Sequence, residues 1–194
     1  MNQAAEPESL PAWLAHARRQ GTSREAALAV FDRLEPVPIA AMIGQWRGAG
    51  IATGHPLDGL LETFGWYGKR FEDAETVHPL LFGTEGGAIV AVNPKFLTIE
   101  LATRLRLQNS RAAALAFRLA RPLFTTRAPK ARLRMIAHRG RTTATMIYDG
   151  QPIADSFRRI DDDTMLGVMD YRAFPAPFFF LLERCLGQAT ENTQ

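Results

Sequence analysis

The sequence predicts a mainly β protein: an antiparallel β-barrel with a helical pair at the N-terminus and one or two further helices outside. Three observations carry that expectation. The last third of the chain alternates between apolar and polar residues with period two. A glycine-flanked tryptophan occurs twice within residues 41–72. Long helical periodicity is confined to the first 37 residues and to one central stretch. Antiparallel strands joined by tight turns, with few long helices, suit a closed or half-closed barrel.

Residues 10–20 read as a helix, with Ser9 placed to cap it, Pro11 in its first turn and Gly21 at its end. A second helix is expected from Thr22, because Thr22 and Glu25 have capping-box spacing. Its apolar stripe is Ala26, Ala27, Val30, Phe31 and Leu34, and Pro36 and Pro38 stop it. "IGQWRGAGIAT", "GWYGKRF", "VHPLLFG" and "GGAIVAVN" read as strands, and "HPLDGLLETF" as a turn with a short helix. "NSRAAALAFRLA" is a helix capped by Asn109 or Ser110. "KARLRMIAHRGR", "TTATMIYDGQPI", "DSFRRI" and "TMLGVMDY" follow as strands, and "PFFFLLERC" as a strand or short helix. The chain divides into a helical segment 1–37, a glycine–tryptophan region 38–95, a helical connection 96–121 and strands over 122–188. Together these form one compact barrel domain.

The 194 residues are 46% hydrophobic and 22% charged, an ordinary globular composition. No apolar run approaches the roughly 18 residues of a membrane span. "MNQAAEPESL" is acidic and lacks an apolar core, so no signal peptide is expected. The single cysteine, Cys185, excludes an internal disulfide, and a cytoplasmic protein is expected. Arginine-dominated basic usage with abundant alanine points to a GC-rich bacterial genome.

The net charge of +3 hides a segregation: residues 101–148 hold ten arginines and Lys130 with no acidic residue, and both flanks are net acidic. Pairing of this block with the flanks is the plain reading. The helix "SRAAALAFRLARPLF" is basic and amphipathic, so transient contact with an anionic membrane surface is a second reading. Aromatic residues are scarcely interleaved with the arginines, so no nucleic-acid partner is expected. The oligomeric state is left open, a dimer included.

On one strand, Gly44, Trp46 and Gly48 share a face. Trp46 thus has bare backbone on either side and either plugs one barrel end or lines a cavity. Residues 38–95 resemble the GXWXG family, whose motif stands here as Gly44-Gln45-Trp46-Arg47-Gly48, supported by "TGHPLDGLL" and "GWYGKRF". Residues 122–184 resemble the domain of unknown function that commonly follows it, through "KARLR", "TATMIYDGQPIADSFRRID" and "LGVMD". The resemblance implies the domain pair and no particular chemistry. The glycine-x-tryptophan strand is also similar, more distantly, to that of lipocalin and fatty-acid-binding barrels. That similarity implies a tryptophan plug with an arginine packed near it.

His16, His55, His78 and His138 form no local ligand pair, so no metal and no cofactor are expected. Cys185, in an apolar stretch, reads as packing. The expected function is the binding or carrying of a small hydrophobic, lipid-like molecule, with or without a carboxylate. The expected ligand contacts are Trp46, Trp66, Tyr67, Lys69, Arg70, Met135, Met146, Tyr148 and Arg158, with Arg158 anchoring an acidic head group or else paired to Asp155 or Asp170. The alternative is a cofactor-independent isomerase, cyclase or lyase using Tyr67, Lys69, His55 or His78 as acid and base.

Overall fold

A computed structural model describes residues 9–96 and 99–185. The acidic stretch 1–8 and the last three residues of the 122–188 segment lie outside the described residues. In chain order, α1 (Leu10–Gln20) and α2 (Arg24–Arg33) precede β1 (Glu35–Pro36) and α3 (Ile39–Met42). Then come β2 (Gly44–Ile51), α4 (Leu60–Thr63), β3 (Trp66–Phe71), β4 (Val77–Gly83) and β5 (Ile89–Ala91). α5 (Ile99–Arg104) and α6 (Arg111–Ala120) follow, and β6 (Ala131–His138), β7 (Arg141–Tyr148), β8 (Ile153–Arg159), β9 (Thr164–Tyr171) and β10 (Phe178–Arg184) complete the chain.

The two N-terminal helices form where the apolar stripes predict them, with one change at the caps. Ser9 occupies the N-cap of α1 without a side-chain cap bond. Ser23, not Thr22, caps α2: its hydroxyl accepts from the Ala26 amide at 3.1 Å. The capping-box reading of Thr22 and Glu25 is therefore corrected. Ser110 caps α6 in the same way.

Eight antiparallel strands close into a barrel in the order β2-β3-β4-β6-β7-β8-β9-β10, with β10 returning to β2. Closure pairs most strand edges, and the one long stretch left open among the described residues is β6 beyond Ala131. The ring is an up-and-down meander of the lipocalin-like kind, built from strands of both halves of the chain. Its narrowest seam is between β4 and β6, which share only the Val77–Ala131 pairing. β5 takes the other half of β4. The segment carrying α5 and α6 leaves the barrel at this seam.

Two apolar layers hold the fold together. Inside the barrel lie Trp46, Trp66, Phe71, Phe157, Met146, Met165, Phe178, Phe180 and Leu182 among others. A second layer sits outside, where Trp13, Ala27, Val30 and Phe31 of α1 and α2 cover Ile51, Leu166, Val168, Phe179 and Leu181. This explains the run "PFFFLLERC". Phe178, Phe180 and Leu182 point inward, while Phe179 and Leu181 point out beneath helices. A strand covered on both faces has no reason to alternate. Each of these side chains contributes about 1.5–3 kcal/mol through burial.

The arginine-rich block divides in two. On β6 and β7 and their turn, Arg134 pairs with Glu75, Arg139 with Asp32, Arg141 with Glu35 and Arg132 with Asp149. The acidic flanks thus neutralise the strand arginines. Arg104, Arg106, Arg111 and Arg127 have no ion pair among the described residues.

Candidate functional site

One end of the barrel is plugged and the other is hollow. At the plugged end, Trp46 is fully buried and donates its indole N–H to the Met42 carbonyl at 2.7 Å. The Arg184 guanidinium lies 4.2 Å above the same ring and donates to the carbonyls of Ala41 and Ile43. Trp46 and Arg184 are cross-strand partners on β2 and β10. The arginine ties the indole to the short helix α3 and seals that end.

At the other end lies a cavity of about 250 Å³. Leu80, Phe82, Ile153, Met169, Phe178 and Phe180 form much of its barrel wall, and Leu60, Leu61, Ile99, Ala102 and Phe117 cover it from α4, α5 and α6. Phe117 meets Phe64 and Phe82 edge-on or tilted at 5.3 and 5.2 Å. The cover is tied at its rim, where the Tyr171 hydroxyl donates to Glu100 of α5 and the Thr63 hydroxyl of α4 donates to the Gln108 carbonyl. Besides the Trp66 indole, three polar side chains among the described residues enter this apolar space: Lys69, Tyr148 and Asp155.

Their meeting depends on a bulge. Strict alternation would put Trp66 and Lys69 on opposite faces of β3. The β3–β4 register shifts on both sides of Gly68, whose φ is 151°. The extra residue lets both Trp66 and Lys69 face inward. A Cβ on Gly68 would lie 2.0 Å from the Trp46 carbonyl oxygen, so only glycine permits this approach of β2 to β3. Gly48, the last glycine of the motif, serves differently. The Trp66 ring stands directly over it, where a Cβ would come within 2.1 Å of that ring. The glycine–tryptophan echo is thus one device: the first motif clears the space that the second tryptophan fills.

Lys69 Nζ lies 2.9 Å from Asp155 Oδ2. It also donates to the Pro79 carbonyl at 3.2 Å and to the Tyr148 hydroxyl at 3.4 Å. The rings of Phe180, Trp66 and Tyr148 surround the ammonium at 5.0, 5.4 and 5.7 Å. Burial pushes the Asp155 carboxyl up, and the Lys69 ammonium opposes that rise. Burial, then the negative charge of Asp155, pushes Tyr148 well above its ordinary value. Asp155 Oδ1, Asp155 Oδ2 and the Trp66 indole nitrogen have no hydrogen-bond partner among the described residues, so Oδ2 meets Lys69 as an ion pair alone.

Of the residues singled out in the sequence, Trp66, Lys69 and Tyr148 line the cavity. Met146 is buried inside the barrel without lining it, and Trp46 belongs to the plug. The other placements correct the expectation. Met135 is on the open stretch of β6 and 45% exposed. Tyr67 faces away, its hydroxyl 3.4 Å from Cys185 Sγ. Arg70 pairs with Glu72 outside the barrel. Arg158 is buried on the outer face, 5.2 Å from the Phe31 ring, and donates to the His138 carbonyl. It anchors nothing in the cavity, and the inward neighbour Asp155 belongs to Lys69 instead.

The histidines are also elsewhere. His55 builds the turn before α4: Nδ1 accepts from the Leu57 amide and Nε2 faces the Ala176 carbonyl, both at 3.1 Å. Asp58 braces the same turn by accepting from the amides of Thr53 and His55. His78 points to Glu72 across 3.4 Å, beside Arg70. Sequence reasoning missed Asp155 as a cavity residue. Its signal was present in the alternation of Ile153, Asp155 and Phe157, which places a carboxylate between two inward apolar side chains.

The comparisons agree with this architecture. Residues 29–87 match the family model described as GXWXG protein, and residues 129–184 match the Domain of unknown function (DUF4334). No curated protein matches. A crystal structure of a protein from Thermomonospora curvata is similar, at 35% identity over 85% of this chain and 89% of that one, with a TM-score of 0.64. The chain therefore belongs to the GXWXG family and carries its DUF4334 companion domain.

Proposed function

We propose that the protein binds a small apolar molecule within the barrel and holds or carries it there. The observation that supports this best is the cavity: about 250 Å³ of space, walled by aliphatic and aromatic side chains and covered by three helices. That volume lies just below the roughly 300–1,000 Å³ of drug-sized ligand pockets. At about 30 Å³ per water-sized group, it admits on the order of ten heavy atoms. The ligand is lipid-like in character and short. A cytoplasmic setting fits a chain whose single cysteine is unpaired. The test is solvent extraction of purified protein followed by mass spectrometry, with calorimetric titration of medium-chain compounds. A co-purifying or saturably bound apolar compound supports the reading. Absence of both overturns it.

A second reading, cofactor-independent proton transfer on the bound molecule, is favoured by one observation. Asp155, whose carboxyl is held up by burial, stands in the cavity beside Lys69 and Tyr148. In that reading Asp155 removes a proton from the bound molecule and returns it at another position. Incubating the extracted compound with wild type and with Lys69→Met separates the two. A product formed only by wild type supports turnover; an unchanged compound leaves binding alone.

A further inference from the structure

The donor and acceptor inventory of the cavity narrows the ligand's chemistry, resting on the binding reading above. Lys69 donates to the Pro79 carbonyl and the Tyr148 oxygen, and Asp155 at 2.9 Å matches its charge. With that charge matched, a ligand carboxylate meets no net cation. Other polar groups remain. Neither Asp155 oxygen has a hydrogen-bond partner among the described residues, although Asp155 is only 1% exposed, and the Trp66 indole N–H on the cavity wall has none either. The Tyr148 hydroxyl receives a hydrogen bond from Lys69, and its own hydrogen has no acceptor among the described residues. A carboxylate with a free acceptor and two neutral donors, the Tyr148 hydroxyl and the Trp66 indole, therefore line the same apolar space.

From this geometry we infer that the bound molecule carries a neutral hydroxyl, an apolar alcohol, whose O–H donates to Asp155 Oδ1 and whose oxygen accepts from Tyr148. A carboxylate would set a second anion beside Asp155 with no further cation to meet it, and a buried unpaired charge is strongly disfavoured. A ketone satisfies Tyr148 and leaves Oδ1 unpaired.

The test is calorimetric titration of the full chain with n-nonanol, nonan-2-one and nonanoate at neutral pH. The expected order is alcohol, ketone, acid, with the alcohol about tenfold or more tighter than the acid. In Asp155→Asn the unpaired Lys69 ammonium reverses the order in favour of nonanoate. Equal or tighter binding of nonanoate by wild type overturns the inference while leaving the binding function standing. Failure of all three to bind overturns both. The wild-type series decides the matter even if the variant does not fold.

A separate observation points to a docking surface. The outer face of the helical cover is studded with leucines. Leu101 and Leu105 of α5 are 52% and 59% exposed, and Leu115, Leu119 and Leu123, four residues apart, are 47%, 72% and 81% exposed. α6 turns Phe117 into the cavity and Leu115 and Leu119 out to solvent. Arginines border the stripe: Arg104, Arg106 and Arg111 have no ion pair among the described residues, and Arg111, Arg118 and Arg121 line a groove beside α6. Among the described residues, Glu85 alone pairs with one of them, Arg118, while Arg121 is buried and donates to the Gly83 carbonyl.

We propose that this face rests on an anionic lipid surface, with the leucines in the acyl boundary and the arginines at the phosphates. A second copy of the chain fits poorly, because it would bring two arginine-rich covers together. The test is co-sedimentation with vesicles of phosphatidylcholine alone and of phosphatidylcholine containing a quarter phosphatidylglycerol. Binding to the anionic vesicles is expected to be about tenfold stronger and to be lost at high salt. Leu119→Ser with Leu123→Ser is expected to reduce it about tenfold or more without altering nonanol binding. Binding to neither vesicle overturns the proposal. Self-association that the leucine changes abolish also overturns it and assigns the face to a second copy.

Discussion

Lys69 Nζ and Asp155 Oδ2 stand 2.9 Å apart in the barrel interior, with side chains only 3% and 1% exposed. They come from β3 and β8, on different halves of the chain, and meet where the wall is otherwise apolar. Removing one partner strands a buried charge. Lys69→Met or Asp155→Leu alone is therefore expected to cost about 3–5 kcal/mol in urea unfolding. The double variant is expected to recover most of that loss, because two apolar side chains replace a pair that gains little net stability from burial. Single losses under about 1 kcal/mol would show the pair to be solvated.

Gly48 and Gly167 set the positions of two rings of the ammonium's cage. A Cβ at Gly48 would meet the Trp66 ring at 2.1 Å, and one at Gly167 would meet Phe180 at 2.3 Å. Gly48→Ala or Gly167→Ala is expected to push the ring into the cavity, costing about 1–3 kcal/mol and weakening ligand binding. Gly150→Ala is the control, since a Cβ there meets nothing within 4 Å. Thermal unfolding with parallel titration checks both effects.

Trp46 and Trp66 are expected to separate cleanly. Trp46→Phe leaves the Met42 carbonyl without its donor and weakens the stack with Arg184. The cost is about 1–3 kcal/mol of stability. Ligand affinity is expected to stay unchanged, because Trp46 does not line the cavity. Trp66→Leu is expected to change both.

The alternating strands, both N-terminal helices and the plug were legible in the sequence because each rests on local chemistry. Period-two patterning, proline stops and the glycine-flanked tryptophan act over a few residues. Lys69 was legible only as a candidate. Its inward direction comes from the bulge at Gly68, which alternation cannot reveal. Arg158 and Asp155 are three apart on β8, and only the packing of α2 against the outer face decides which side each takes. The outward arginine lies under Phe31, and the inward aspartate faces Lys69 from the far side of the ring. Met135 misled because its strand runs past the covered part of the barrel.

Acidification gives a test of the histidine environments. Burial is the leading cause that lowers His55, His78 and His138 from the ordinary 6.5, with Arg70 adding to it at His78. Their stabilising contribution is fully present above about pH 6.5 and is lost as pH falls below it, because the unfolded chain there binds more protons. Urea midpoints are therefore expected to fall between about pH 7 and pH 5.5, above the range in which exposed carboxylates titrate. A flat or rising midpoint across that window would contradict these placements.

The central claim is that the covered end of the barrel is a ligand site. Calorimetric titration of n-nonanol into wild type and into Ala102→Phe, a change that fills the cavity from α5, addresses it most directly. The account predicts saturable one-to-one binding by wild type and about tenfold or greater weakening in the variant, at similar thermal stability. Equal binding by both proteins, or none by wild type, would contradict it.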